Sequence, residues 1–399
     1  MPSAAVAMPM SSVSWPLAWA VTPDRRMRAR TIAKPAARLV ALDGLRGILA
    51  LMVAASHYIG EVPHGVKLAL VGWIAVKMFF VLSGFLMAKV IVDHIGTPGF
   101  FATFYMRRAC RTLPVYFVTL ALALGAAQLF QGQVWVDADR LFPLWRYLTF
   151  TQTFEMIARG DHGSTWMTPT WTLTVEEQFY LVAPILCRLA GRRHLMKALC
   201  VAAAASVAFR LLSFGLGVLP DMAALVLLPG VAHSMFIGMI TALLLASNSI
   251  DLSRYDVALR VSPLLILGVV MLAKIIGGDA GALYQCVGVP LVSVGCALYL
   301  ASIVRGAPEA LRLRSSVLGA LGRLSFGVYL LHMPVLGLMH GLILGGKPDI
   351  ATVAEFGVTL AAMPVTLGLA WAVNRCVEEP MITYGRKWVF VAGEGNSEQ

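Results

Sequence analysis

Apolar stretches of about twenty residues recur along this chain, and they constrain its fold more than any other feature. A helix rises 1.5 Å per residue, so twenty residues cross the roughly 30 Å hydrocarbon core of a bilayer. Ten such stretches are predicted, at 39–59, 66–88, 113–130, 172–190, 196–216, 225–246, 258–276, 281–303, 317–343 and 351–374. The alternating ten-residue segments of a membrane barrel are absent, and backbone polar groups in lipid then require helices. Hydrophobic residues make up 58% of the 399, charged ones only 13%, and mean hydropathy is +0.76, an apolar excess that a soluble core of this size does not need. The expected fold is all-α, a polytopic membrane protein of about ten transmembrane helices.

The formal charge of +11 suggests nucleic acid until its placement is considered. With the N-terminus inside, 22 of the 32 Lys and Arg residues fall in the tail and inner loops and 5 in outer segments; the rest lie within spans. That asymmetry predicts an N-in, C-in topology and removes the need for a nucleic-acid partner. The six cysteines form no Cys-x-x-Cys pair and no cluster with histidine, so neither a metal site nor a disulfide framework is expected. Residues 1–38 read as a basic, disordered cytosolic tail, 39–385 as the membrane domain and 386–399 as a short cytosolic tail. No internal repeat is apparent.

Polar residues inside lipid are costly and usually functional. Arg46 and His57 lie eleven residues apart on the first span, three turns plus roughly 20°, which places them on one face about 16 Å apart. A snorkelling Arg and a satisfied buried His are the bland alternative. The fourth span opens with Trp171 and carries Thr172, Glu176 and Tyr180 on neighbouring rows, where Glu176 exceeds what helix capping requires. Ser83 and Gly84 on the second span suit close helix packing. Arg107, Arg108 and Arg111 open the third span, as inner anchors or as forks for a phosphate-rich cytosolic ligand. Ser325, Tyr329 and His332 share a face of the ninth span, and Glu378 closes the last.

These residues fit one scheme. Arg46, Arg107, Arg108 and Arg111 hold a cytosolic donor whose thin arm runs along span one to His57. Acyl-coenzyme A has that shape, and the imidazole serves as general base on an acceptor hydroxyl. Glu176 is expected near the depth of His57, orienting it or binding the acceptor, while Asp43, Ser83, Trp171, Tyr180, Ser325, Tyr329 and His332 line the path.

The motifs Arg46-x10-His57, Phe79-Phe80-Val-Leu-Ser83-Gly84-Phe85, Arg107-Arg108-x-x-Arg111-x-x-Pro114, Trp171-x-Leu-x-x-Glu176-x-x-Phe179-Tyr180, Ser325-Phe-x-x-Tyr329-Leu-x-His332-x-Pro334 and Glu378-x-Pro380 resemble, in order, the membrane acyltransferase family 3. The resemblance runs from about residue 39 to 385. It implies transfer of an acyl group, usually acetyl, from coenzyme A to a hydroxyl of a surface polysaccharide, lipid-linked sugar or macrolide. It also implies that His57 is the catalytic imidazole and Arg46 its essential partner. No tightly bound cofactor is implied; acyl-coenzyme A is a co-substrate. Thr172 stands where the family usually has Ser, and Phe326 where Tyr is common. Members with an extra extracellular domain continue past this length, which leaves acceptor choice to the membrane part and the 131–171 segment. A transporter or flippase of a glycolipid or small metabolite is the competing class, and would favour inverted repeats and broken helices.

Overall fold

The computed structural model describes residues 35–66, 69–247, 255–277 and 281–390; residues 1–34 of the expected tail over 1–38 and the last nine residues lie outside them, while 35–38 open the first helix. The described residues are helical and carry no strand. Helix α1 spans Pro35–Ala55 and continues through a π turn over Ser56–Gly60. Then come α2 (Ala69–His94), α3 (Phe100–Leu129), the short helices α4 (Leu144–Leu148) and α5 (Gln152–Arg159), and α6 (Thr170–Arg210). They are followed by α7 (Asp221–Val226), α8 (Leu228–Ser247), α9 (Asp256–Gly277), α10 (Val289–Arg305), α11 (Pro308–Leu313), α12 (Ser316–Leu344), α13 (Val353–Val373) and α14 (Glu379–Gly385).

Among the described residues, nine helices are long and apolar enough to cross a membrane. The difference from ten lies in α6, where two expected spans run together as one helical stretch, Thr170–Gly215 including its terminal π turn. At 1.5 Å per residue, its 46 residues measure about 69 Å, twice a hydrocarbon core. Gly191 interrupts it with φ 62° and ψ 171°, a backbone that L side chains rarely adopt. The glycine therefore breaks the stretch at the basic segment expected to separate the two spans. The third span is longer than expected: α3 starts at Phe100, so Arg107, Arg108 and Arg111 lie within its first turns instead of ahead of it.

Helix pairs that carry the polar residues pack closely. Helix α1 lies against α12 and α2 against α8, with α13 behind α12 and α6 behind α8. Two glycines set these distances. A Cβ on Gly322 would fall 1.9 Å from the Asp43 carbonyl oxygen, and one on Gly84 1.9 Å from that of Met235. Small residues are what let membrane helices approach backbone to backbone. The α1–α12 approach fixes Asp43 and Arg46 relative to Ser325 and Tyr329. The packing role expected of Gly84 is thus observed, and Ser83 next to it is left facing the other way, toward α6.

Candidate active site

A cavity of about 450 Å³ opens among α1, α2, α3, α6 and α12. That volume falls within the range of small-molecule sites. Its walls combine apolar residues such as Val76, Phe79, Phe80 and Leu86 with Asp43, Arg46, Ser83, Arg108, Arg111, Glu176, Tyr180, Ser325 and Tyr329. Nine of the thirteen expected site residues meet here, drawn from five helices.

The arginines belong to one end. Arg46 comes from the middle of α1, Arg108 and Arg111 from the third and fourth turns of α3, and Lys89, Asp93 and His94 from the last turns of α2. Arg111 lies within electrostatic reach of both Arg46 and Arg108, with Glu378 opposing. Three guanidiniums crowded around one void repel each other and favour an anion between them. Arg108 also stacks over the Tyr180 ring at 4.7 Å, and the Tyr180 hydroxyl lies 2.7 Å from Ser83 Oγ. Glu378 is held by an Asn374 amide donating at 3.0 Å.

Arg107 departs from the expected cluster. Its Nε donates to the Trp388 carbonyl at 2.6 Å and its guanidinium covers the Phe390 ring at 4.8 Å, away from the cavity. Arg107 and Arg108 point about 100° apart, on either side of Arg111, and it is the Arg108 side that faces the cavity. Trp171 is likewise off the cavity, with its ring edge-on to Phe80 at 6.1 Å.

His57 and His332 form a second group, toward the opposite end of α1. His57 sits in the π turn, where its Nδ1 lies 2.9 Å from His332 Nε2 and the rings stack at 5.0 Å. Tyr58, the next residue, donates its hydroxyl proton to the His332 carbonyl oxygen at 3.0 Å, and Thr366 completes the hydroxyl at 2.7 Å. On its other side, His57 Nε2 is 3.6 Å from the Glu61 carboxylate. His57 keeps 18% of its side chain exposed, while His332 is fully buried.

Tyr329 connects the two groups. It lines the cavity, its hydroxyl bonds Thr172 Oγ1 at 2.7 Å, and its ring stands 5.9 Å from His332. Glu176, expected at the depth of His57, is instead on the cavity wall within electrostatic reach of Arg108, Arg46 and Arg111, and hydrogen-bonded by Ser83. Glu61 takes the place beside His57 that Glu176 was expected to hold. The i, i+4 spacing of His57 and Glu61 was visible in the sequence, but Glu61 fell past the expected end of span one. Lys89, Asp93 and His94 continue the α2 stripe of Val76, Phe79 and Ser83, and a longer second span would have included them.

The segments between the spans are tied together by polar contacts. His64 Nδ1 meets Asp349 Oδ2 at 2.7 Å, and Lys347 donates to Asp137 Oδ1 at 2.7 Å. His162, near Asp161, Glu61 and Arg140, has its pKa lowered by burial. Within 131–171, Trp135 and Trp166 are buried and stacked at 6.2 Å. Among the described residues no group of His, Cys, Asp and Glu is arranged to hold a metal ion.

Residues 39–375 match the family model of the acyltransferase domain. The chain is 28% identical over 383 residues to the acyltransferase MdmB of Streptomyces mycarofaciens, covering 88% of this chain and 93% of that protein. It is 29% identical over 150 residues to the putative peptidoglycan O-acetyltransferase YrhL of Bacillus subtilis, covering 36% of this chain and 23% of that one. The putative O-acetyltransferase SACOL0978 of Staphylococcus aureus is 23% identical over 326 residues, 77% of this chain and 52% of its own length. The chain therefore spans nearly all of the Streptomyces relative and about half or less of the other two. No solved structure matches. With the family model covering the helices that build both polar groups, the chain belongs to the acyltransferase 3 family of multi-pass membrane acyltransferases.

Proposed function

We propose that this protein moves an acyl group, acetyl in the simplest case, from cytosolic acyl-coenzyme A to a hydroxyl of a sugar or other acceptor at the outer half of a bacterial inner membrane. The observation that carries this reading is the pairing of an arginine-lined cavity at one end of α1 with a stacked histidine pair at the other. Arg46 and His57 are separated along that helix by about 16 Å. Phosphate groups of the donor suit the guanidiniums of Arg46, Arg108 and Arg111, and its pantetheine arm suits the apolar wall made by Val76, Phe79 and Leu86. The uneven distribution of Lys and Arg supports the arginine end as cytosolic.

In the transfer step the acceptor hydroxyl oxygen attacks the thioester carbonyl and His57 takes its proton. The carbon–sulfur bond breaks, and the imidazolium returns the proton to the departing thiolate. Family membership favours this chemistry over a transporter. The test incubates membranes bearing the full chain with acetyl-coenzyme A radiolabelled in the acetyl group. Label is expected in a non-coenzyme product with the native chain, falling by about 10² to 10⁴ with His57→Ala. Undiminished labelling by a well-inserted His57→Ala protein would contradict the reading.

A further inference from the structure

Donor and acceptor accounting around the two imidazoles leads to a role for His332. A carbonyl oxygen only accepts, so the 3.1 Å contact between His332 Nδ1 and the Val328 carbonyl places a proton on that Nδ1. A second proton on His332 would bury an imidazolium at a fully buried position, where its near neighbours are the rings of Tyr58, Tyr329 and His57 and no carboxylate touches it. His332 is therefore neutral, and its Nε2 is a lone-pair acceptor. The 2.9 Å contact then requires His57 Nδ1 to donate. Neutral His57 is left with its lone pair on Nε2, the nitrogen turned toward Glu61.

We infer that His332 is a positioning residue that holds His57 in the tautomer whose Nε2 can accept the acceptor's proton. This rests on the acyl-transfer reading above. The chain of bonds runs from the Val328 carbonyl through His332 to His57, and Tyr58 locks its register. The single Tyr58 hydroxyl proton goes to the His332 carbonyl, so the Thr366 hydroxyl donates to Tyr58. Residues 57 and 58 of α1 thereby grip the side chain and the backbone of one residue of α12. Without the Nε2 acceptor, His57 would be free to carry its proton on either nitrogen and to rotate out of line. A ring nitrogen bonded by a second group takes its tautomer from that bond, in metal sites as in acid–base sites.

The test compares three substitutions in membranes bearing the full chain, with acetyl-labelled coenzyme A as the probe. A glutamine amide oxygen reaches the place of Nε2, an asparagine amide oxygen stops short of it, and phenylalanine keeps the ring without an acceptor. His332→Phe and His332→Asn should lower maximal label transfer by roughly 10- to 100-fold, with the KM for acetyl-coenzyme A within about twofold of the native chain. His332→Gln should recover at least about tenfold of that loss. A merely structural role would not distinguish Gln from Asn, two side chains that differ by one methylene. Full transfer by His332→Phe, or His332→Gln no better than His332→Asn when both insert and bind coenzyme A normally, would overturn the assignment. Absence of label transfer by the native chain itself, well inserted and supplied with acetyl-coenzyme A, would instead overturn the acyl-transfer reading.

Discussion

Thr172 Oγ1 and Tyr329 Oη lie 2.7 Å apart, and this bond joins α6 to α12 between the arginine-lined cavity and the histidine pair. Phe79 meets the Tyr329 ring edge-on at 6.3 Å from a third helix. On the path proposed above, an acyl group travelling from the cavity to His57 passes this partition. Tyr329→Phe removes one neutral hydrogen bond, worth about 1 kcal/mol, and loosens the partition by that amount. Hydrolysis of acetyl-coenzyme A by water should rise severalfold, roughly fivefold, relative to productive transfer. Measuring coenzyme A release against labelled product in the same membranes checks this; an unchanged ratio would argue that the Tyr329 hydroxyl has no part in separating the two ends.

Arg107 and Arg108 are neighbours in sequence and face different partners, the Trp388 carbonyl and the cavity. Arg108→Ala should weaken coenzyme A binding by about ten- to a hundredfold, the loss of one charge-assisted contact of roughly 1.5–3 kcal/mol. Arg107→Ala should leave that affinity within about threefold of the native value. Binding of labelled coenzyme A to the two purified variants tests the contrast, and equal losses would put the donor somewhere other than this cavity.

Gly322 leaves no room for a methyl group against the Asp43 carbonyl. Gly322→Ala must push α1 and α12 apart, at a cost of about 1–3 kcal/mol in stability. Because Asp43 and Arg46 move with α1, coenzyme A binding should weaken as well. Thermal unfolding in detergent reads the first effect. A variant as stable as the native chain would mean that α1 and α12 are not in backbone contact.

Asp137 lies in the segment between α3 and α4, 11% exposed, with Lys347 as its partner. Burial raises its pKa, but hydrogen bonds from Lys347 and Thr165 outweigh that and hold it below the ordinary carboxylate value. A depressed folded pKa gives stability that is present above the unfolded value, near 3.9, and lost as pH falls through the folded one. Lys347 is 61% exposed, so solvent screening limits the contribution to about 1 kcal/mol or less. Asp137→Asn should therefore unfold slightly earlier than the native chain at neutral pH, and the two curves should converge below about pH 4. Curves that stay parallel down to pH 3 would exclude an ionised Asp137 as the link.

The fold was largely legible because apolar runs of membrane length leave the backbone few alternatives. What periodicity could not show is where helices continue past the apolar stretch. Helix α3 begins well before the run at 113–130, and α2 carries polar Lys89, Asp93 and His94 on its cavity face. The cavity residues from α1, α2, α6 and α12 were readable from their spacing on single helices. Arg107 was misplaced because a run of arginines was treated as one patch, although neighbours on a helix diverge by about 100°. The depth of Glu176 and the pairing of His57 with His332 and Glu61 depend on how α1, α6 and α12 are staggered against one another. Spacing within one helix carries no record of that stagger.

The proposed transfer is directional, with donor at the arginine end and acceptor at the histidine end. Sealed right-side-out vesicles bearing the full chain, with acetyl-labelled coenzyme A either trapped inside or supplied only outside, separate the two directions. His57-dependent label is expected on material accessible from the outer surface with trapped donor, and none with external donor. Efficient His57-dependent labelling from external acetyl-coenzyme A in intact vesicles would contradict it.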